Sequence, residues 1–362
     1  MSLGHNLKEL RQKQSLNQKD LSDRSGVSQA TISRIETGRV RQPGSSALKN
    51  LADALGVSTD SLMDDKARLA RVHKDRLHQI AETLNAFVVH ENGLLLFISQ
   101  TLADSLGYRG EELLAKDSIE LLFAPQSRPT ARHMVASGSS NAYEALMVRS
   151  DDSFLPVEIT NVNISKKARL VIARDITARC CQQGTFRVLQ AGCEAERVRD
   201  LGKVVRILRD ELEAMGVQFE AVSLQVIDEQ RNLLACYRAY SAARGYRSIQ
   251  NVVNLQDSLG HFASLRILVS YWNRDKDWKR EADEDFRQMS QEIFSDSTYR
   301  PGLLIDVPFA QGMLGLGLLM GGPSHSEQLP TILREFARSI SLVVKRLFEL
   351  QSLRERLDQR QN

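Results

Sequence analysis

Over the first 63 residues, short apolar stripes at helical spacing alternate with polar turns. Leu3, Leu7, Leu10 and Leu16 mark a first helix with one buried face. Residues 18–25 and 28–37 give two more helices, with Leu21, Ser22, Val27, Ile32 and Ile35 turned inward. Gly26 stands between them, where the chain must turn through positive φ. Ser28 is placed to cap the third helix and Gly38 to stop it. Ser45 or Ser46 caps a fourth, with Leu48, Leu51, Ala52 and Leu55 on its inner face. Leu62 and Met63 then close a five-helix bundle over residues 1–64. In residues 65–84, Ala70, His73, Leu77, Ile80 and Leu84 step by three and four, the seam of a coiled-coil-like connecting helix.

From there the period changes. Residues 86–90 and 94–98 read as strands joined by the turn Glu91-Asn92-Gly93. Short helical stretches follow, and then three strands near 142–149, 155–165 and 170–173. Strands, helices and a three-strand meander predict an antiparallel sheet with helices on one face, over residues 80–178. A connector, 179–194, is interrupted by Gly184 and Gly192. Over 195–350 the pattern runs helix (Val198 to Leu212), strands (219–228 and 233–240), an irregular insert (241–280), an amphipathic helix (281–294), strands (303–307 and 314–320) and a long helix. That helix, residues 333–362, carries Leu333, Phe336, Ile340, Val343, Leu347 and Leu350, with Leu353 and Leu357 beyond. Leu77, Ile80, Leu84, Phe336, Ile340, Val343, Leu347 and Leu350 are the expected dimer-forming positions, with the end of the last helix lying back on its own domains as the alternative. The fold class expected is multidomain: an all-α bundle, then two α+β domains joined by long helices.

Composition changes this picture little. The 362 residues are 42% hydrophobic and 26% charged, suiting several globular domains. No apolar run is long enough to cross a membrane and no signal-peptide core opens the chain, so a cytoplasmic, nucleoid-associated protein is expected. Four cysteines form no disulfide framework, and none has zinc spacing. Residues 1–63 hold nine Lys/Arg against six Asp/Glu, while the rest holds 39 of each. The whole net charge of +3 thus sits on the bundle, as a partner rich in phosphates would require. No nucleophile–base pair or carboxylate pair stands out, and Gly312, Gly315 and Gly317 lie within strands instead of opening a helix. The chain reads as a non-enzyme with no metal site.

Two short helices meeting at Gly26 constitute a helix-turn-helix. Gln18-x-x-Leu21-Ser22, Gly26-Val27-Ser28, Ile32-Ser33 and Glu36-x-Gly38 resemble the DNA-binding domain of the lambdoid repressor/Cro (XRE) family over about residues 4–63. The resemblance implies that Gln18, Ser28, Arg39 and Arg41 meet the DNA backbone. It also implies that Gln29, Ala30, Thr31, Ser33 and Arg34 face base edges, and that Glu36 has a structural task. An Arg there suits guanine O6 and N7, a Gln suits adenine, and Ala or the Thr methyl suits the thymine methyl.

Glu91-Asn92-Gly93, Leu106-Gly107-Tyr108, Glu111-Glu112-Leu113-Leu114 and Arg174-Asp175-Ile176-Thr177 resemble a PAS domain. Asp306-Val307-Pro308-Phe309 with Gly312-x-Leu314-Gly315-x-Gly317 resembles a GAF domain. No Cys lies between residues 64 and 180, which argues against flavin–cysteine chemistry, and Cys236 lacks the motif of a covalent tetrapyrrole. His133 sits late on its helix for a haem ligand, and the cofactor is unknown. The pocket residues are Phe97, Phe123 and His133 in the first domain. In the second, Tyr246, Tyr271, Trp272 and Trp278 stand among Arg274, Lys276, Lys279 and Arg280, an arrangement suited to a planar anion. The function expected is a dimeric one-component transcription regulator. It binds a pseudo-palindromic operator in double-stranded DNA and responds to a small molecule or protein signal, with RNA polymerase as a further partner. The competing expectation is a constitutive DNA binder whose PAS-like and GAF-like domains serve only dimerisation or docking.

Overall fold

The computed structural model describes residues 3–40, 43–59, 62, 86–116, 118–137, 139–165, 168–319 and 328–361. The connecting helix at 65–84, with Leu77, Ile80 and Leu84, and also Met63 and Arg41, lie outside the described residues. The chain divides into two compact units. One takes in residues 1–121, 132–142 and 160–173; the other takes in 122–131, 143–159 and 174–362.

The first unit opens with α1 (Leu3–Lys13), α2 (Gln18–Ser25), α3 (Gln29–Glu36) and α4 (Ser45–Ala54). Leu7, Leu16, Leu21, Val27, Ile32, Ile35, Leu51, Leu55 and Leu62 form one buried cluster, the inward face expected of the apolar stripes. Gly26 adopts φ 68° and Gly38 φ 77°. Asn17 and Asp20 cap α2 reciprocally, and Ser28 accepts from the Thr31 amide. The start of α4 differs from expectation: Gly44 is its N-cap, no side chain caps it, and Ser45 is already helical.

A first antiparallel sheet has strand order β2-β1-β5-β4-β3, formed by Phe87–Glu91 (β1), Leu94–Ile98 (β2), Tyr143–Val148 (β3), Phe154–Asn163 (β4) and Ala168–Asp175 (β5). Helices α5 (Gln100–Leu106), α6 (Gly110–Leu114) and α7 (Arg128–Ser137) lie between β2 and β3 in the chain. Asn92 and Gly93 both take positive φ, as the hairpin turn demands. The Arg174–Thr177 exit works locally: Asp175 Oδ1 accepts from the Thr177 amide at 2.8 Å and starts α8 (Thr177–Glu194).

In the second unit a six-stranded antiparallel sheet has order β8-β7-β6-β11-β10-β9. Its strands are Ala221–Asp228 (β6), Leu233–Tyr240 (β7), Ser248–Asn254 (β8), Trp278–Glu281 (β9), Leu303–Phe309 (β10) and Gly312–Leu318 (β11). One face is covered by α8, α9 (Leu201–Ala214) and α13 (Leu329–Gln361). The other is covered by α10 (Leu255–His261), α11 (Ala263–Asn273) and α12 (Glu284–Phe294). The insert at 241–280 is therefore not irregular: it supplies β8, α10, α11 and β9. Strand β8 escapes the sequence because it is an edge strand, exposed along most of its length, with no apolar alternation.

Two further expectations are corrected here. Gly184 and Gly192 do not interrupt the connector, which is the continuous helix α8. A Cβ at Gly184 would stand 2.8 Å from Phe336 Cζ, and one at Gly192 would collide with Val343. The glycines let α8 lie against α13 at a spacing no other residue allows. In turn, Phe336, Ile340, Val343 and Leu347 are spent in the core of their own domain and are not free to form a dimer seam. Leu350, half-buried, marks the end of that stripe. The β3–β4 hairpin also belongs to this unit: a Cβ at Gly216, which has φ 78°, would stand 2.8 Å from Phe154 Cβ and 3.1 Å from Leu146. Gln218 Nε2 donates to Asp152 O at 3.0 Å.

Gly192→Ala should destabilise the second unit by about 1–3 kcal/mol, the usual range for overpacking. Gly260→Ala, which has open space on α10, should be neutral or slightly stabilising. Urea unfolding midpoints of the two variants check the contrast.

Candidate nucleic-acid interface

The helix-turn-helix is locked by one carboxylate. Arg11 Nε donates to Glu36 Oε1 at 2.7 Å and Arg11 Nη2 to Glu36 Oε2 at 2.9 Å, a bidentate pair. Gln18 Nε2 adds a third bond to Oε2 at 2.9 Å. Arg11 Nη1 donates to Leu16 O at 2.7 Å, tying the pair to the turn before α2. Burial by itself would raise the Glu36 pKa. The hydrogen bonds from Arg11 and Gln18, with the Arg11 charge, outweigh it and hold the carboxyl below its usual range. The end of α1, the start of α2 and the end of α3 thus meet at one ionised group. Gly4 permits the approach of α1, since a Cβ there would overlap Ile35 O.

With Ile32 and Ile35 buried, the opposite face of α3 is left to solvent. Gln29, Ala30 and Arg34 are exposed and Ser33 is half-exposed on this face. Thr31 sits to the side, its hydroxyl 2.9 Å from Ser28 Oγ within the cap. Ser28 is exposed at the helix start, and Arg39 is exposed just after the helix. Exposed Lys19 and Arg24 on α2 and Thr37 after α3 were not picked out in the sequence. Arg11 was also missed. Its signal is a charged residue one turn after Leu7, on the stripe that faces inward, where a charge requires a buried partner.

Of the expected ligand residues the structure pairs Tyr271 with Trp278 and disperses the others. Phe123 is core, and Phe97 stacks on Phe87 with ring centroids 5.5 Å apart. His133 is exposed on α7. Tyr246 is exposed, with Arg209 4.8 Å from its ring. Tyr271 and Trp278 stack on each other at 5.4 Å, Trp278 carries Arg280 over its ring, and Trp272 donates to Phe309 O at 2.9 Å. These aromatics pack the insert onto its sheet. Among the described residues no group of His, Cys, Asp and Glu is placed to hold a metal ion, and no helix is long and apolar enough to cross a membrane.

Residues 7–62 match a family model described as helix-turn-helix. Over 75 residues the chain is 39% identical to the HTH-type transcriptional repressor RghR of Bacillus subtilis, a match covering 21% of this chain and 56% of that protein. The chain thus spans little more than half of that relative's length. Among solved structures, the PAS domain of an HTR-like protein from Haloarcula marismortui is 24% identical, with 29% of this chain and 99% of that one covered and a TM-score of 0.25. The chromophore-binding domain of a bacteriophytochrome from R. palustris is 10% identical, covering 73% of this chain and 94% of that one, with a TM-score of 0.31.

Glu36→Ala should cost about 3–5 kcal/mol in the bundle, because it strands Arg11 as an unpaired buried charge. Since the Glu36 pKa is lowered on folding, its contribution is present above the ordinary carboxylate range and lost as pH falls through the folded value. Acid titration by circular dichroism should therefore unfold the parent bundle and show a weaker pH dependence in Glu36→Gln. By its fold, its internal lock and the match over residues 7–62, the chain carries at its N-terminus a helix-turn-helix domain of the XRE type.

Proposed function

We propose that the protein is a dimeric, sequence-specific transcription regulator that binds double-stranded DNA through α3 and answers to a signal received by its two sheet domains. The observation that carries this reading is the outward face of α3. Gln29, Ala30, Ser33 and Arg34 project from a helix whose opposite face is fully consumed by the core. Such a face, held at a fixed angle by the Glu36 clasp, suits insertion into a major groove, with base-edge contacts from Arg34 and Gln29. Gln18, Ser28 and Arg39 are placed at the rim for backbone phosphates. One domain of this size makes a small interface, so operator affinity calls for two copies.

The dimer surface is not the seam of the long helix, which is buried. It is the opposite stripe of α13, where Leu342, Leu353 and Leu357 are each more than half exposed. At 100° per residue these three fall within about 60° of one another. Ion pairs from Arg231 to Glu355 at 2.8 Å and from Arg354 to Glu196 at 3.3 Å hold this end of α13 to its own domain. A rigid apolar stripe then faces a second copy. A signal acts by favouring one arrangement of the two readers over another, which needs only differential affinity for the two.

Selection of bound sequences from random duplexes should return a pseudo-palindrome. Arg34→Ala should weaken binding to it by about 1–3 kcal/mol and relax one base position. Equal loss on random DNA would remove the base-reading role. The double variant Leu353→Asp, Leu357→Asp should be monomeric in light scattering with an unchanged circular dichroism spectrum. A dimer that survives it places the interface elsewhere. Removing residues 333–362 is no substitute, because it deletes the core stripe.

A further inference from the structure

One row of cross-strand neighbours crosses the six-stranded sheet on the face beneath α10–α12. Arg238 on β7 pairs with Ser223 on β6, Ser223 with Gly315 on β11, and Gly315 with Asp306 on β10. These are polar or small residues in the middle of a buried face, where apolar side chains would pack best. The row is dry: Arg238 is 2% exposed, Ser223 4% and Asp306 3%.

Charge in this region nearly balances. Asp306 is paired with Arg280, Glu220 with Arg244 at 2.6 Å, and Asp296 with Arg247 at 2.9 Å. Burial opposes the ionised form of Asp296, yet hydrogen bonds from Thr298 and Tyr240 and the Arg247 charge hold its pKa down to about 2. Arg238 is the exception. Among the described residues no carboxylate lies within ion-pair distance of it. Its guanidinium is held between the rings of Phe294 at 3.9 Å and Tyr299 at 3.8 Å. Nη1 donates to Ser290 Oγ at 2.7 Å, and among the described residues neither Nε nor the fully buried Tyr299 hydroxyl beside it has a partner. That hydroxyl rests on Gly317, where any Cβ would overlap it, and a Cβ at Gly315 would collide with the Asp306 carboxylate. The two glycines therefore make room for the Asp306 carboxylate and the Tyr299 hydroxyl, next to two unused donors and one unmatched positive charge. A buried cation without a counter-charge is costly, and the group that would balance it is a single negative charge.

We infer that the second sheet domain binds a small monocarboxylate, whose oxygens accept hydrogen bonds from Arg238 Nε and the Tyr299 hydroxyl once the segment carrying Tyr299 shifts. The planar guanidinium edge matches a planar carboxylate. The neighbouring carboxylates of Asp306 and Glu220 disfavour a dianion such as phosphate. The segment carrying Tyr299, which leaves α12 at the left-handed Ser295, is the part that must give way for entry. This assignment rests on the reading of the domain as a signal receiver and names the chemical class of the signal.

The test uses the full chain at constant ionic strength, with acetate, pyruvate and benzoate as probes and inorganic phosphate as the control. Melting temperature should rise with at least one carboxylate up to about 50 mM, as selective binding to the folded state requires, and should stay unmoved with phosphate. Calorimetry should show binding weakened about tenfold in Tyr299→Phe, which removes one hydroxyl donor. Arg238→Met should abolish it. If Arg238→Met fails to fold, Tyr299→Phe decides alone. No carboxylate response, an equal response to phosphate, or a response unchanged in Tyr299→Phe overturns the site. Carboxylate binding that leaves operator affinity unchanged keeps the site and overturns the sensing role instead.

Discussion

Glu36 accepts three hydrogen bonds from two side chains that are far from it in sequence, and the reading helix depends on that arrangement. Helix α3 is eight residues long, too short to be stable alone. Its apolar contribution is two isoleucines, and its outer face is left polar. What fixes its angle is the bidentate Arg11 pair at one end and the Ser28 cap at the other. The pair is nearly dry, so its strength is little screened by salt, unlike the phosphate contacts proposed for the exposed face. The bundle can therefore keep its shape under salt conditions in which the proposed grip on DNA changes.

The second sheet has a different economy on each face. Toward α8, α9 and α13 its central strands are lined mainly by apolar residues, and glycines at 184 and 192 bring the helices close. Toward α10–α12 it carries a polar row with paired charges and an arginine, Arg238, that has no carboxylate partner among the described residues. A sheet that needed only stability would not place Arg238 there, since an apolar residue of similar volume would pack at lower cost. The contrast between the faces separates the part of the domain that holds the chain together from the part that has chemistry to spare. Trp272, Trp278 and Tyr271 are occupied in fastening the insert to the strands.

Caps, turns and periodicity act within about four residues, and such features could be read directly from the residues. The helix-turn-helix, its turn at Gly26 and the Asn92-Gly93 hairpin are of this kind, whereas the structural task of Glu36 follows from the family resemblance and rests on Arg11 and Gln18, distant in sequence. Edge strand β8 is not of this kind either, because an exposed strand needs no alternation and takes its conformation from its neighbour β7. The glycines of α8 look like breaks in the sequence for a similar reason. A glycine inside a helix has the same local cost whether it ends the helix or lets another one approach, and only Val343 and Phe336, some 150 residues away, decide which.

The sequence by itself determined the class of each domain and the position of the helix-turn-helix, because those follow from local geometry and the period of apolar positions. Only the tertiary structure decided how the long C-terminal stripe is used. Phe336, Ile340, Val343 and Leu347 fit a dimer seam and a domain core equally well as a pattern. The choice lay with α8 and the sheet, which bury them first and leave Leu342, Leu353 and Leu357 outside. The same holds for Arg238 and Arg11. A charged residue in an apolar pattern looks alike in both, and only the folded chain shows that Arg11 has its carboxylate and Arg238 does not.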